Sequence, residues 1–163
     1  MSKYGLFLGC NTPAVRPDVE QAIRCSMPKL GVDLVDLEGY VCCPAFGTFP
    51  SSDESAQLAM NAWNLSLAEE QGVDLAIQCG SCYSSLKLGS HLLEDDARLT
   101  KANELLGKAG RSFKGKAKPR HMVDVLYNEV GVDKIAQTIG KSLKGLHGIV
   151  QYPCHTLYPS DVV

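Results

Sequence analysis

Short runs of consecutive apolar residues alternate along the chain with longer stretches in which apolar positions recur every three or four residues. Tyr4 to Leu8 is the first such run, and Gly9-Cys10-Asn11-Thr12-Pro13 ends it as a turn, the pattern of a buried strand. From about Arg16 to Leu30 the residues Val19, Ala22, Ile23 and Met27 return at helical spacing, with Gly31 as the stop. Val32 to Leu37 reads as a second strand and leads through Gly39-Tyr40-Val41 to Cys42-Cys43-Pro44. Pro44 to Pro50 is loop, because two prolines, Gly47 and the restriction on residues before proline exclude a regular element. Ser52 or Asp53 then caps a long amphipathic helix to about Gln71. Its predicted buried stripe is Ala56, Leu58, Ala59, Ala62, Trp63, Leu65, Leu67 and Ala68, and Gly72 ends it.

Val73 to Ile77 is the third predicted strand, followed by Gln78-Cys79. Ser81 is the expected N-cap of a helix running toward Leu93, which puts Cys82 in the first turn, where the positive end of the helix favours an anionic ligand. The basic, glycine-bearing stretch between Lys101 and Arg120 reads as an exposed connection. His121 to Glu129 and Val132 to Lys144 read as helices on either side of Gly131. Leu146 to Tyr152 reads as a fourth strand ended by Pro153-Cys154-His155, and Tyr158 to Val163 as the start of a further helix.

Strands alternating with helices predict an α/β fold, a mainly parallel sheet with helices on both faces and right-handed crossovers. Functional groups of such sheets gather beyond the strand carboxyl ends. Each predicted strand is followed by at least one cysteine, so the strand carboxyl ends are expected to carry the cysteines. The chain of 163 residues, 45% hydrophobic and 21% charged, suffices for a single core. At this length folding buries about 68–70% of the unfolded surface, so no staple is needed and the seven cysteines call for a chemical reason. Without a signal-like apolar run or an 18-residue apolar stretch, the expectation is a soluble, reducing, cytoplasmic setting with no membrane span and no disulfide framework. A net charge of −2 gives no global attraction to nucleic acid or anionic membrane.

Cys10, Cys42, Cys43, Cys79 and Cys82 are separated by 31 residues, none, 35 and two. Successive side chains on an extended chain point to opposite faces, so Cys42 and Cys43 cannot both be inert core. Soft thiolates select zinc, Cu(I) or iron–sulfur clusters. A zinc site closes with four ligands and a common iron–sulfur cluster takes four cysteines, so a fifth thiol points to a larger or unusual cluster, or to a redox-active extra cysteine. A structural zinc site is the plainer alternative, although only Cys79 and Cys82 form the short hook that such sites pair. A thioredoxin-like Cys79/Cys82 dithiol would leave the other three unexplained. Cys25 reads as a small core residue, Trp63 as core, and His91, His121 and His147 as structural or solvent-facing. His155, beside a cysteine, either satisfies backbone or moves a proton near neutral pH. The run Lys108, Arg111, Lys114, Lys116, Lys118 and Arg120 is a solvated loop or an attractor for anionic groups.

Gly9-Cys10, Cys42-Cys43-Pro44, Asn64-Leu65 with Ala68-Glu69, Cys79-Gly80-Ser81-Cys82-Tyr83, His121 through Tyr127, and Cys154-His155 with Pro159 through Val163 resemble the cysteine-rich CCG domain of the heterodisulfide reductase B-type subunits and their relatives. The resemblance covers essentially the whole chain. It implies that Cys10, Cys42, Cys43, Cys79 and Cys82 hold a non-cubane [4Fe-4S] cluster, with zinc as an alternative or adventitious occupant. It implies that Cys154 opens a second, truncated motif and that His155 donates a proton to a departing thiolate. The activity implied is cleavage of the coenzyme M–coenzyme B heterodisulfide, with electrons from a cubane-bearing iron–sulfur subunit among the other reductase subunits. Small-molecule thiols and their disulfide are then the partners. Residues 1–145 would form the first cysteine-rich domain and 146–163 the start of a second. The family continues past this point, so one cluster site is complete and an isolated fragment should not be competent. Pro44 stands where the family's third motif position is glycine. A related reading keeps the cluster in a thiol:fumarate or quinone-linked dehydrogenase that relays electrons, and a third is a zinc-stabilised interaction module.

Overall fold

The computed structural model describes residues 2–45, 49–157 and 159–162. Phe46, Gly47 and Thr48 of the predicted loop, and Tyr158 and Val163 of the predicted terminal helix, lie outside the described residues. Strand β1 (Ser2–Phe7) pairs on one side with β2 (Val32–Asp36) and on the other with β3 (Asp74–Ile77), and β4 (Pro119–His121) pairs with β3. All pairings are parallel and the order is β2-β1-β3-β4.

Local chemistry sets the element ends. After β1 come α1 (Asn11–Val15) and α2 (Pro17–Ser26), the latter opening on Pro17, where a missing N–H costs nothing. One 3-10 turn, Pro28–Leu30, then ends at Gly31 with φ 81°. Helix α3 (Glu54–Glu70) starts at Asp53, whose carboxylate accepts the Ala56 N–H at 2.9 Å. Helix α4 (Gly80–Leu92) starts earlier than expected, with Cys79 rather than Ser81 at the N-cap. Helix α5 (Asp96–Gly107) is capped by Asp95. Helix α6 (Met122–Asp124) widens into a π-helical stretch, Val125–Val130, and α7 (Val132–Thr138) follows Gly131.

The pleat of β1 sorts its side chains onto two faces. Tyr4, Leu6 and Leu8 join Ile23, Met27, Val32, Ala76, Met122 and Val125 on one face. Phe7 joins Leu75 and Ile77 under α3, α4 and α5 on the other. The registered pairs Leu6 with Ala76 and Phe7 with Ile77 keep each face consistent. Helices therefore cover both faces, as an all-parallel sheet with apolar strands requires.

The structure departs from the sequence expectation at the fourth strand. Residues 146–152 form no strand, and Leu146, Ile149, Val150 and Tyr152 are exposed. Strand β4 lies instead at the end of the basic stretch read as an exposed connection, a segment in which Phe113, Ala117 and Pro119 are buried. Backbone pairing to β3 makes β4 a strand, starting from the Leu75 N–H to Lys118 carbonyl bond at 2.9 Å, and such pairing leaves no apolar signature in the sequence. Strand β4 ends at His121, so not every strand is followed by a cysteine. The second predicted late helix ends at Thr138 rather than Lys144, and residues 159–162 form a bend and turn.

Helices α3 and α4 touch closely where Gly89 faces Asn61, since a Cβ on Gly89 would come within 2.8 Å of Asn61 Cγ. Gly89→Ala is expected to lower unfolding stability by about 1–3 kcal/mol, read from the urea midpoint. An unchanged midpoint would mean that the two helices do not pack this closely.

Candidate metal centre

Gly9 turns the chain after β1 with φ 66°, and a Cβ there would lie 2.7 Å from Cys82 Sγ. Backbone conformation and space thus both demand glycine before Cys10. Cys10 occupies the N-cap position of α1 and is exposed. The Tyr40 hydroxyl donates to the Gly9 carbonyl at 3.1 Å, and the Tyr40 ring packs on Phe7 with centroids 5.1 Å apart. Asn64 Oδ1 accepts the Val41 N–H at 2.8 Å. Cys42 is exposed and Cys43 buried, as the alternation of neighbouring side chains dictates. The Cys43 and Cys82 sulfurs are 3.0 Å apart. Cys82 lies buried in the first turn of α4, and Cys79, half-buried, occupies its N-cap position.

The five thiols make one connected row. Cys42 faces Cys10 on one side and Cys43 on the other, Cys43 meets Cys82, and Cys82 meets Cys79. Their protons are unevenly held. The Cys82 thiol holds Cys79 down to about 5 against its burial, helped by the backbone N–H groups of Cys82 and Ser81 and by His155. The same thiol lowers Cys43. Cys82 itself is pushed up, first by Cys43 and then by Cys79. Burial, then Cys43 and Cys10, push Cys42 up to about 11. Cys79 thus carries thiolate character beside a protonated Cys82, and Cys43 is shifted in the same direction as Cys79. Among the described residues no cysteine is in a disulfide.

The chemistry of this donor set fits a thiolate-held metal centre, since it is all sulfur and part of it is already deprotonated. Among the described residues no three Cys, His, Asp or Glu side chains are grouped to hold a single metal ion.

The remaining candidates divide. Pro153 and Thr156 rest on the N-terminus of α4, where a Cβ on Gly80 would come within 3.1 Å of Thr156 Cγ2 and 3.3 Å of Pro153 Cγ. His155 is thereby close enough to act on the charge of Cys79. The Cys154 thiol beside it is exposed. Cys25 is exposed rather than core, because Ile23 and Met27, two positions to either side, take the buried face of α2. Trp63 is half-buried, donates to the Gly39 carbonyl at 2.9 Å and carries the Arg111 guanidinium over its ring. His91 is exposed beside Glu94, and His147 is exposed. His121 bonds the Gln78 backbone and accepts the Val123 N–H at 3.2 Å, and burial lowers its pKa. Of the basic run, Lys114, Lys116 and Lys118 have their backbone tied to Glu69 and Asp74, and Arg120 pairs with Asp124 and Glu129.

Sequence reasoning missed the buried polar side chains beside the row. Gln57, Asn61, Asn64, Ser84 and Ser85 are buried, and Gln78 donates to the Leu8 carbonyl and to Thr12. The readable signal was the spacing of Gln57, Asn61 and Asn64, which repeats at helical intervals within an apolar helix.

Residues 4–87 match the family model described as the CCG cysteine-rich domain. The chain is 47% identical over 163 residues to a heterodisulfide reductase B-subunit-like protein of Archaeoglobus profundus, covering 99% of this chain and 54% of that protein. It is 38% identical over 161 residues to the B-type subunit of the ferredoxin/F(420)H(2)-dependent CoB-CoM heterodisulfide reductase of Methanosarcina acetivorans, covering 98% and 53%. It is 29% identical over 157 residues to the 8-methylmenaquinol:fumarate reductase membrane anchor subunit of Wolinella succinogenes, covering 96% and 54%. A hypothetical protein from Helicobacter pylori shares the fold, with a TM-score of 0.65 at 17% identity over 74% of this chain and 24% of that one. The chain spans about half the length of the curated relatives it matches. The matched span supplies all five thiols of the row, and on that ground the chain belongs to the CCG cysteine-rich domain family, with the B-type subunits of heterodisulfide reductases as homologues.

Proposed function

We propose that this chain is the iron–sulfur subunit of a disulfide reductase, with Cys10, Cys42, Cys43, Cys79 and Cys82 as ligands of one non-cubane [4Fe-4S] cluster. The observation that carries the reading is the row of five thiols, assembled from segments that follow three different strands. The substrate we assign is the coenzyme M–coenzyme B heterodisulfide, in line with the name of the Methanosarcina acetivorans relative. Its S–S bond breaks, two electrons enter from a cubane-bearing partner subunit, and each departing thiolate takes a proton to leave as a thiol. When bound, the cluster supplies those electrons to the disulfide. Cys43 and Cys82, both buried, keep water from the inner part of the row. Cys79 offers a ready thiolate. His155, beside Cys79, is the proton donor we assign to one departing thiolate.

We take residues 1–145 as the first cysteine-rich domain and 146–163 as the beginning of a second, opened by Cys154. The exposed apolar side chains of Leu146, Ile149 and Val150 support that division. We place the protein in the cytoplasm with its sister subunits; no described helix is long and apolar enough to cross a membrane. The relative named for menaquinol and fumarate favours a second reading, in which the same cluster relays electrons without attacking a disulfide. A complete complex that passes electrons to fumarate and leaves the heterodisulfide intact would select that second reading.

Anaerobic reconstitution should give a brown protein with about four irons and matching acid-labile sulfide per chain, whereas one zinc without sulfide would overturn the assignment. Cys42→Ala and Cys43→Ala should each alter the absorption and EPR spectra of the loaded protein, and Cys25→Ala should not. Equal loss from all three would mean that the ligands are wrongly assigned. In the reduced, metal-free chain the Cys79 alkylation rate should titrate with a midpoint near 5, the value its surroundings impose. A midpoint near the ordinary thiol value of about 8.5 would sink the thiolate assignment. Because folding lowers this pKa, Cys79 adds stability that is fully present above the unfolded-state value and fades as the pH falls toward about 5.

A further inference from the structure

The side chains that hold the cysteine-bearing segments in place are polar, and none is a cysteine. Asn64 and Ser85 are both 0% exposed. Asn64 Oδ1 accepts the Val41 N–H at 2.8 Å, and the Ser85 hydroxyl donates to the Pro44 carbonyl at 2.7 Å. Cys42 and Cys43 lie between these two anchor points, held by α3 on one side and α4 on the other. Asn61 Nδ2 donates to the Ser85 carbonyl at 3.0 Å and fastens the two helices together. The Tyr40 hydroxyl ties the segment after β2 to the Gly9 carbonyl, next to Cys10. Gln78 Nε2, next to Cys79, reaches the Leu8 carbonyl at 2.8 Å and Thr12 Oγ1 at 2.7 Å, on either side of Cys10.

We propose that Tyr40, Asn64, Gln78 and Ser85 form a polar frame that assembles the five-thiol row without metal, and that these four are the positioning residues of the site. The inference deepens the cluster assignment above and rests on it for the identity of the ligands. Small zinc domains fold only when the metal gathers their ligands. Here each cysteine-bearing segment has its own bond to a neighbouring element, so the gathering is done by the protein. Such bonds are strong in a low-dielectric interior and costly to leave unmade. Asn64 Nδ2 and Gln78 Oε1 have no partner among the described residues. A leucine at position 64 would avoid that cost and continue the apolar stripe, so a frame role accounts for asparagine there.

The test uses the reduced chain after chelation, followed by site-resolved alkylation under native conditions. Far-UV circular dichroism should not change on chelation and the metal-free chain should still unfold in one cooperative transition, its midpoint lowered only by the mass-action stabilisation that bound metal gives any native state. Cys43 should be alkylated about fivefold faster in Asn64→Leu and in Ser85→Ala than in the parent, the loop opening expected from a lost buried hydrogen bond. Ser85→Thr, which keeps a hydroxyl, should restore the parent rate. Leu65→Ala loosens the same helix without touching the frame and should leave the ratio of Cys43 to Cys10 labelling unchanged. After anaerobic loading, the frame variants should shift the EPR spectrum and midpoint potential, and Leu65→Ala should not. Unfolding on chelation, or Cys43 rates in the frame variants equal to that in Leu65→Ala, would overturn the proposal. Should one frame variant fail to fold, the other decides. A chain that keeps the alkylation pattern but takes up no iron would overturn the cluster assignment and leave the frame standing.

Discussion

The Cys82 thiol lies 3.0 Å from that of Cys43 and against the backbone of Gly9, where no side chain could fit. Three segments meet at this point, one following β1, one following β2 and one following β3. They meet because those strands are neighbours in a parallel sheet ordered β2-β1-β3. Adjacent strands run about 4.8 Å apart, so segments leaving three neighbours in one direction emerge within roughly 10 Å of each other. Separations of 31 and 35 residues in sequence then collapse into contact. Topology, rather than any local motif, is what brings the thiols together.

That meeting point shapes the composition of the helices around it. Helix α3 buries Leu58, Ala62, Leu65 and Ala68 against the sheet, yet it also buries Gln57, Asn61 and Asn64. Buried amides are destabilising unless bonded, and two of these three serve the neighbourhood of the cysteine pair through Val41 and Ser85. Helix α4 does the same with Ser85, and its N-terminus carries both Cys79 and Cys82. The electrostatics follow from crowding. Thiols this close cannot all ionise, so Cys79 and Cys43 drop while Cys82 and Cys42 rise. A metal centre that displaces the shared protons would relieve that competition.

Helical periodicity, capping residues and apolar runs located β1, β2, β3, α2, α3 and α4 within a few residues, because each of these elements buries a face whose pattern is local. Gly31, Asp53 and Gly72 marked ends through backbone chemistry that acts over one turn. The same reasoning failed at Leu146 to Tyr152, where an apolar pattern finds no neighbouring strand, and at Pro119–His121, where a neighbouring strand makes β structure from residues with no such pattern. It also failed at Cys25, whose side of α2 was decided by what packs on Ile23 and Met27.

The sequence by itself determined the α/β class, the spacing of the cysteines and the family resemblance, since spacing and residue type are written along the chain. Only the tertiary structure decided that the thiols form a row rather than a group around one point, and that Cys82 stays protonated between Cys43 and Cys79. It alone showed that Tyr40, Asn64, Gln78 and Ser85 hydrogen-bond the backbone of Gly9, Val41, Leu8 and Pro44 beside them. The reason is range. Propensity and periodicity act between residues a few positions apart, whereas these contacts join residues 23 to 70 positions apart in the chain and exist only once the sheet has set its strand order.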